Sequence, residues 1–442
     1  MVEMSFDAII IGAGPAGYAA AIRLGQKGKK VAMIERDKIG GECLNYGCIP
    51  SKALIELANT VYSANETPGL KSTIDIDFKE WQKWKWDMIH KLTSGVETLC
   101  RSYGVEIIHG DAMIVDARTV SVGENRYEGE NLVIATGSSP VRFNGMESAV
   151  SNREILDIEN VPKSLVIIGG GYIGIEIGTA LKKLGSEVTV VEMMDSILPG
   201  VDRELVAPVE RKLKAMGVEI LTSTKVSSVN KEKGYSVTLE GGKTLNCDLV
   251  LLTVGRTPNT QGFGLENLGV EMDGRYVRTD ERKMTTVPGV YAIGDVSGEP
   301  MLAHKAYYDA EVAASNIAGE DAVVEYQAMP FVIYSDPEIS YTGRKGKNQS
   351  MFPLAANGRA LGMNSTIGSY RIYFDESGIV TGAGIVAPHS SEMISEISLA
   401  VEGGLSAMDI GMTIHPHPTI SEGVREAAEG AYGKPLHFKT GR

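Results

Sequence analysis

The chain has only four cysteines in 442 residues, too few to hold a protein of this size together as a disulfide framework. It has no run of about 18 apolar residues, so no membrane span is expected. It has no surplus of basic charge: 43 Lys and Arg face 56 Asp and Glu, for a net charge of −13. Nor does it show a basic stripe of the kind that nucleic-acid binders carry, so no nucleic-acid partner is expected. No basic leader or cleavage site precedes the first apolar run at Phe6, which makes a cytoplasmic location the default expectation.

What is present in abundance is glycine, 51 residues, alongside 43% hydrophobic residues. That balance and the length point to an α/β globular protein of about three domains. Two of the four cysteines fall in one stretch, Gly40 to Lys52, which reads GGECLNYGCIPSK. Cys43 and Cys48 are candidates for a redox pair, for structural thiols or for a zinc half-site. Zinc usually takes cysteines two to four residues apart with a second ligand pair, and Cys100 and Cys247 stand alone, so no metal site is expected. A disulfide needs alpha carbons within about 4.4 to 6.8 Å. Residues i and i+5 of a regular helix are already separated by a rise of about 7.5 Å. The segment must therefore be tightened or irregular, which Gly40, Gly41 and Gly47 permit.

Upstream, Phe6–Ile11 reads as a strand, followed by Gly12, Gly14 and Gly17, a helix to about Lys27, and a strand VAMIE ending on Glu35. This is the dinucleotide-binding unit: glycines allow a tight turn and close phosphate approach, a helix N-terminus faces the pyrophosphate, and an acid meets ribose hydroxyls. The unit returns with Gly169, Gly171, Gly174 and Glu192, all at one offset of 157, as are Gly28 and Gly185. Two dinucleotide sites are expected. Each unit closes on a short strand and a glycine, at Val133–Gly137 with Thr136, and at Val250–Gly255. The run Val290–Gly294 then ends on Asp295, and Pro300–Ala306 is expected to open a helix that runs through Ala318, with His304 a polar residue at its start.

Between residues 78 and 100, Phe78, Trp81, Met88 and Leu92 recur at helical spacing, which predicts a packing helix with partly exposed rings. From about 329 the texture becomes alternating and β-branched, then helical from about Ser390. Near the C-terminus, His417 precedes Glu422 by five residues between prolines, so a carboxylate can orient an imidazole for acid–base work. His415 reads as a surface loop histidine.

With these motifs assembled, GGECLNYGCIPSK resembles the active-site segment of the flavoprotein disulfide reductases, the dihydrolipoamide dehydrogenase branch in particular. PMLAHKA and HPHPTISE resemble the same branch, and the similarity spans nearly the whole chain. The resemblance implies two Rossmann-like domains, for FAD and NAD, plus a C-terminal α+β dimerisation domain. It implies an FAD domain at 1–148 resuming at 278–328, an NAD domain at 149–277, and an interface domain at 329–442. FAD is expected at Gly12, Gly14, Gly17, Glu35, Lys52, Thr136, Gly137, Asp295 and Ala303. NAD is expected at Gly169, Gly171, Gly174, Glu192 and Gly255.

The implied catalytic set is Cys43, Cys48, Lys52, Glu176, His417 and Glu422, with His417 facing Cys43 of a second protomer, so that a homodimer is the active form. Lys52 and Glu176 are expected to meet near the flavin. The implied reaction oxidises dihydrolipoamide carried by a lipoyl protein of a 2-oxo acid dehydrogenase or glycine cleavage complex and passes hydride to NAD. Glu192 favours NAD over NADP because it would repel a 2′-phosphate. Glutathione-type and mercuric-type reductases are alternatives, and a redox-silent flavin-binding subunit is another. Three departures from the pattern are Glu42, where relatives more often carry Thr; Tyr172, as in glutathione reductases; and the short link RKGKNQS between Gly343 and Met351.

Overall fold

The computed structural model describes residues 4–71 and 73–439. The chain opens with β1 (Met4–Ile11), α1 (Pro15–Gln26) and β2 (Val31–Glu35), in the order the glycine spacing predicts. Ile9, Ile10 and Ile34 are each no more than 1% exposed. Burial of such a side chain is worth about 1.5–3 kcal/mol, and these residues fix the strands that carry the turn. At that turn Gly12 has φ +101°, and a Cβ there would meet the Ala135 carbonyl. The corresponding Gly169 has φ +102° and faces the Thr253 carbonyl. The sequence repeat is therefore also a repeat of backbone geometry.

The first sheet runs Glu106–His109, β2, β1 and Asn125–Ile134, all parallel. An antiparallel hairpin, Thr119–Val122 with Ala112–Ile114, extends it. Val290–Ala292 returns across more than a hundred residues to pair with Leu132–Ile134. The second sheet has the same parallel order: Glu219–Leu221, Glu187–Val191, Ser164–Ile168 and Leu249–Leu252. Where the chain leaves each unit, Ser138–Pro140 and Arg256–Pro258 pair antiparallel and bind the two exits together.

Between β2 and the first hairpin lie α2 (Gly41–Tyr46), α3 (Cys48–Glu66) and α4 (Phe78–Ser102). On α4 the buried line is Phe78, Lys85, Ile89 and Cys100, while Leu92 is exposed, contrary to the face expected from apolar spacing. Lys85 takes a core place because its ammonium bonds the Leu156 carbonyl at 2.5 Å. Trp84 is exposed and Trp81 stacks on Phe78.

The C-terminal part is a five-stranded antiparallel sheet in the order Phe331–Ile333, Ile339–Gly343, Val380–Val386, Ser369–Phe374, Asn348–Pro353. Helices Ser390–Glu402 and Glu422–Ala431 lie against it over a core that includes Phe352, Tyr370 and Ile397. The short link RKGKNQS is only partly a connection. Asn348–Ser350 already belong to an edge strand, so residues 344–347 alone carry the chain across two intervening strands. Among the described residues no helix is long and apolar enough to cross a membrane.

Candidate active site

The cysteine stretch is one helix broken in the middle. α2 ends and α3 begins at Gly47, which has φ −134° and ψ −101°. Gly40 and Gly41, at φ +91° and +55°, make the entry. The break is the irregularity that the cysteine spacing requires. It brings the two sulfurs into hydrogen-bond contact, both as free thiols, with Cys48 exposed into the cleft before it. Their proton is shared unequally. The hydrogen bond to Cys48, with burial added, pushes the Cys43 thiol pKa up. The same hydrogen bond, against burial and with help from Lys52, pulls Cys48 down. In the reduced pair Cys48 is thus the more acidic sulfur and Cys43 the less acidic one, the polarity that thiol–disulfide exchange uses.

Lys52, one turn after Cys48 on α3, points to the helix Tyr172–Lys183 of the second unit. Its Nζ lies 2.8 Å from Glu176 Oε2, and 4.4 Å from the Tyr334 ring centroid. Glu176 is 3% exposed, and its other oxygen accepts from the Tyr334 backbone N–H at 2.9 Å. One carboxylate thereby joins the redox helix, the second unit and the C-terminal part. Burial opposes a charge on Lys52, but Glu176 overcomes it and holds the ammonium above its usual range.

A cleft of about 1410 Å³, including its open mouth, runs from Gly12 and Glu35 past Cys48 to Asp295 and Ala303. Its lining reaches from the first glycine turn to the redox segment and on to Asp295, a run that suits an extended dinucleotide. Its residues fit FAD on their own geometry. α1 starts at Gly14 without a side-chain cap, leaving its first N–H groups open to an anion. The helix Ala303–Ile317 likewise starts, uncapped, at the cleft wall. Glu35 accepts from the Ala13 and Asp37 N–H groups at 2.7 and 2.8 Å, which fixes its carboxylate at the strand end. Thr136 and Gly137 line the cleft, Thr136 Oγ1 donating to the Asn259 carbonyl at 2.7 Å. Burial raises the Asp295 pKa, opposed by the Ser138 hydroxyl, which donates to it at 2.5 Å. Gly17 does not line the cleft: a Cβ there would strike the Gly12 carbonyl, so its service is close packing behind the turn.

The second glycine set, with Gly255, lies outside that cleft and repeats its geometry. Glu192 accepts from the Gly170 and Met194 N–H groups at 2.6 and 2.8 Å, the exact counterparts, at offset 157, of the Glu35 bonds. Helix Tyr172–Lys183 is also uncapped at Gly171. Tyr172 and Glu176 belong to both places, since they open this helix and line the first cleft. Burial pushes the Tyr172 phenol up to about 12.

Sequence reading missed the arginines behind the thiols. Glu42 accepts from Arg153 Nε at 2.8 Å, from Asn152 Nδ2 at 2.9 Å and from Arg256 Nη1 at 3.3 Å. Arg256 in turn donates to the Ser138 hydroxyl and carbonyl, each at 2.8 Å. Burial disfavours the Glu42 charge, yet Arg256 and Arg153 hold its carboxyl below the usual range. The one signal in the sequence was the acid itself, standing where Thr is commoner.

His417 and Glu422 meet as their spacing predicts, Nδ1 to Oε1 at 2.9 Å, and Glu422 Oε2 also accepts from the Thr419 N–H at 2.9 Å. Within one chain they are not brought to the thiols: neither lines the cleft, and the His417 side chain is 77% exposed. His415 is not the surface histidine expected. It is buried, with Nδ1 bonded to the Thr413 carbonyl at 2.9 Å and Nε2 3.2 Å from Glu396, which raises its pKa. Among the described residues no group of three or more His, Cys, Asp or Glu is placed to hold a metal ion.

Comparison with known proteins places this geometry in a family. Residues 6–310 match the pyridine nucleotide-disulphide oxidoreductase model, and residues 329–428 match the dimerisation domain of the same family. The chain is 43% identical to the dihydrolipoyl dehydrogenase of Geobacillus stearothermophilus over 98% of each. It is 40% identical to that of Haloferax volcanii, over 98% of this chain and 97% of the relative. Among solved structures, LpdA from Mycobacterium tuberculosis superposes with a TM-score of 0.89 at 27% identity, covering 96% of this chain and 99% of that one. The HOCl-induced flavoprotein disulfide reductase RclA from Escherichia coli gives 0.88 at 26%, over 96% and 99%.

Proposed function

The chain belongs to the pyridine nucleotide-disulphide oxidoreductase family, and from that premise we propose that it oxidises protein-bound dihydrolipoamide to lipoamide with NAD as acceptor. It is an FAD-dependent oxidoreductase acting on a sulfur group, and it binds FAD and NAD. The observation that carries the reading is the polarised thiol pair at the wall of the first cleft, with Lys52 and Glu176 beside it. FAD, when bound, supplies the two-electron acceptor between the thiols and the nicotinamide.

The chain's residues account for the exchange steps. A substrate thiol, deprotonated by His417 of the partner subunit, attacks Cys43 in the oxidised pair; a mixed disulfide forms and Cys48 leaves as thiolate. The second substrate thiol then attacks the substrate sulfur bound to Cys43, closing the cyclic disulfide, and Cys43 leaves as a thiol carrying that second thiol's proton. Lys52 stabilises the Cys48 charge throughout, and Glu176 holds Lys52 in place. Glu422 orients His417 through Nδ1, leaving Nε2 to take the proton.

The cleft residues Gly12, Gly14, Glu35, Thr136, Gly137, Asp295 and Ala303 are assigned to FAD. Gly169, Gly171, Glu192 and Gly255 are assigned to NAD, with Gly17 and Gly174 packing behind each turn. The domain division given above, at 148, 277 and 328, accompanies this assignment. Dimerisation is supported by the matched C-terminal domain and by Ile414 and Met412, which are 94% and 75% exposed beside His417. Exposed apolar residues so grouped suit an interface. The lipoyl carrier protein and a cytoplasmic setting complete the proposal.

Steady-state assays test the substrate. Dihydrolipoamide with NAD should turn over rapidly, and glutathione disulfide or Hg(II) with NADPH slowly. Robust turnover of either of the latter, with little of the first, would replace the lipoyl substrate while leaving the relay intact.

A further inference from the structure

Beside the dinucleotide cleft lies a second cavity, of about 600 Å³ including its mouth, between the redox segment and α4. Its walls are a succession of cations and aromatic rings. Lys85 Nζ stands 4.7 Å from the centroid of Trp86, and Lys38 Nζ is 4.9 Å from the same ring. Lys38 is also 5.1 Å from the Tyr46 ring, whose other neighbour is Arg153 at 4.6 Å. The rings hold the cations in place by their quadrupoles but accept no strong hydrogen bonds.

The charges facing this cavity do not cancel. Arg153 gives Nε and Nη2 to Glu42. Glu154 accepts from Ser151 and Arg142. Asp157 accepts from Trp86 Nε1 at 2.8 Å, and at 3.9 Å from Lys85 it is beyond hydrogen-bond reach. Lys85, 1% exposed, thus has one acceptor, the Leu156 carbonyl, for three N–H donors. Lys38 has no hydrogen-bond acceptor among the described residues. Two ammonium groups therefore line one hollow, Lys38 exposed and Lys85 buried with spare donors, and it is the buried cation that gains most from an incoming anion. Burial lowers the Lys85 pKa to about 8, only partly opposed by Asp157.

We propose that this cavity is a binding site for a small phosphate-class oxyanion, held between Lys38 and Lys85. The oxyanion is either inorganic phosphate or the phosphate group of a small metabolite. Asn45 and Tyr46, which also line the cavity, sit between the two cysteines, so an occupant lies against the redox segment itself.

Isothermal titration of the FAD-loaded protein tests the site, since FAD then occupies the adjoining cleft. Inorganic phosphate and glucose 6-phosphate are the probes. Saturable binding of at least one is expected below about 10 mM, weakened about tenfold or more by Lys85→Met. Trp86→Leu, which removes the ring common to both ammonium groups, should weaken it likewise and serves if the first variant does not fold. Neither variant should alter FAD content or turnover in phosphate-free buffer. Tighter inorganic phosphate identifies the free ion as the ligand, and tighter sugar phosphate a metabolite; both uphold the site. No saturable binding of either probe, or binding unchanged in the variants, would overturn it.

Discussion

Lys52 Nζ and Glu176 Oε2 lie 2.8 Å apart although 124 residues separate them in the chain. The pair joins the redox helix to the second dinucleotide unit, and its two members act on Cys48 with opposite sign. Lys52 lowers the Cys48 pKa and Glu176 raises it. Lys52→Met should therefore shift the Cys48 titration upward, and Glu176→Gln should shift it downward, as followed by alkylation rate against pH in the dithiol-reduced protein. Turnover should fall about 10²-fold in Lys52→Met, the usual cost of removing a preorganised charge partner. Shifts of the same sign in both variants would show that the pair acts only as a structural tie.

Glu42 should behave as an acid-sensitive fastening. Its folded-state pKa lies below the ordinary 4.5 because Arg256 and Arg153 face it, against the effect of burial. A depressed pKa contributes stability that is complete above the unfolded value and is lost as pH falls through the folded value. Glu42→Gln should thus cost about 2 kcal/mol at pH 7, in the range for charged hydrogen bonds. The gap from wild type should close in acid. Urea unfolding across pH checks this, and a gap that stays constant with pH contradicts it.

Glu192 should set the choice of nicotinamide. Its carboxylate is tethered at both oxygens by backbone N–H groups and cannot swing aside. NADH should be preferred over NADPH in kcat/KM, and Glu192→Ser should narrow the preference by about 10²-fold, the scale of like-charge repulsion. An unchanged ratio would mean that another residue discriminates.

Much of this was legible in the sequence because the deciding relationships are short or repeated. One offset of 157 relates the two glycine turns, and the structure repeats their φ angles and even the two backbone bonds to Glu35 and Glu192. The spacing of Cys43 and Cys48 demands a broken helix, and Gly47 breaks it. His417 and Glu422 are five residues apart and bond directly. The arginine network was not legible. Glu42 meets Arg256 across 214 residues, and no local pattern records which distant cation will face an acid. Lys85 was hidden for a related reason: apolar periodicity does not foresee a buried lysine whose partner is the carbonyl of Leu156.

A cross-protomer site makes a further demand. Ile414→Glu should yield a monomer by size-exclusion chromatography that keeps its FAD and loses dithiol turnover. Co-folding inactive Cys43→Ser chains with inactive His417→Gln chains should restore about a quarter of wild-type activity, because each twofold heterodimer contains one intact site. No recovery on mixing would place the base elsewhere.

Cys48 is proposed as the sulfur that exchanges electrons with a bound flavin, and anaerobic reduction of the purified protein by one equivalent of dihydrolipoamide tests this most directly. The protein should be yellow and should develop a long-wavelength absorption band at two-electron reduction; Cys43→Ser, which has no disulfide to reduce, should show the band without reductant, and Cys48→Ser should lack it. A colourless protein that cannot be reconstituted with FAD, or a band that survives in Cys48→Ser, would contradict it.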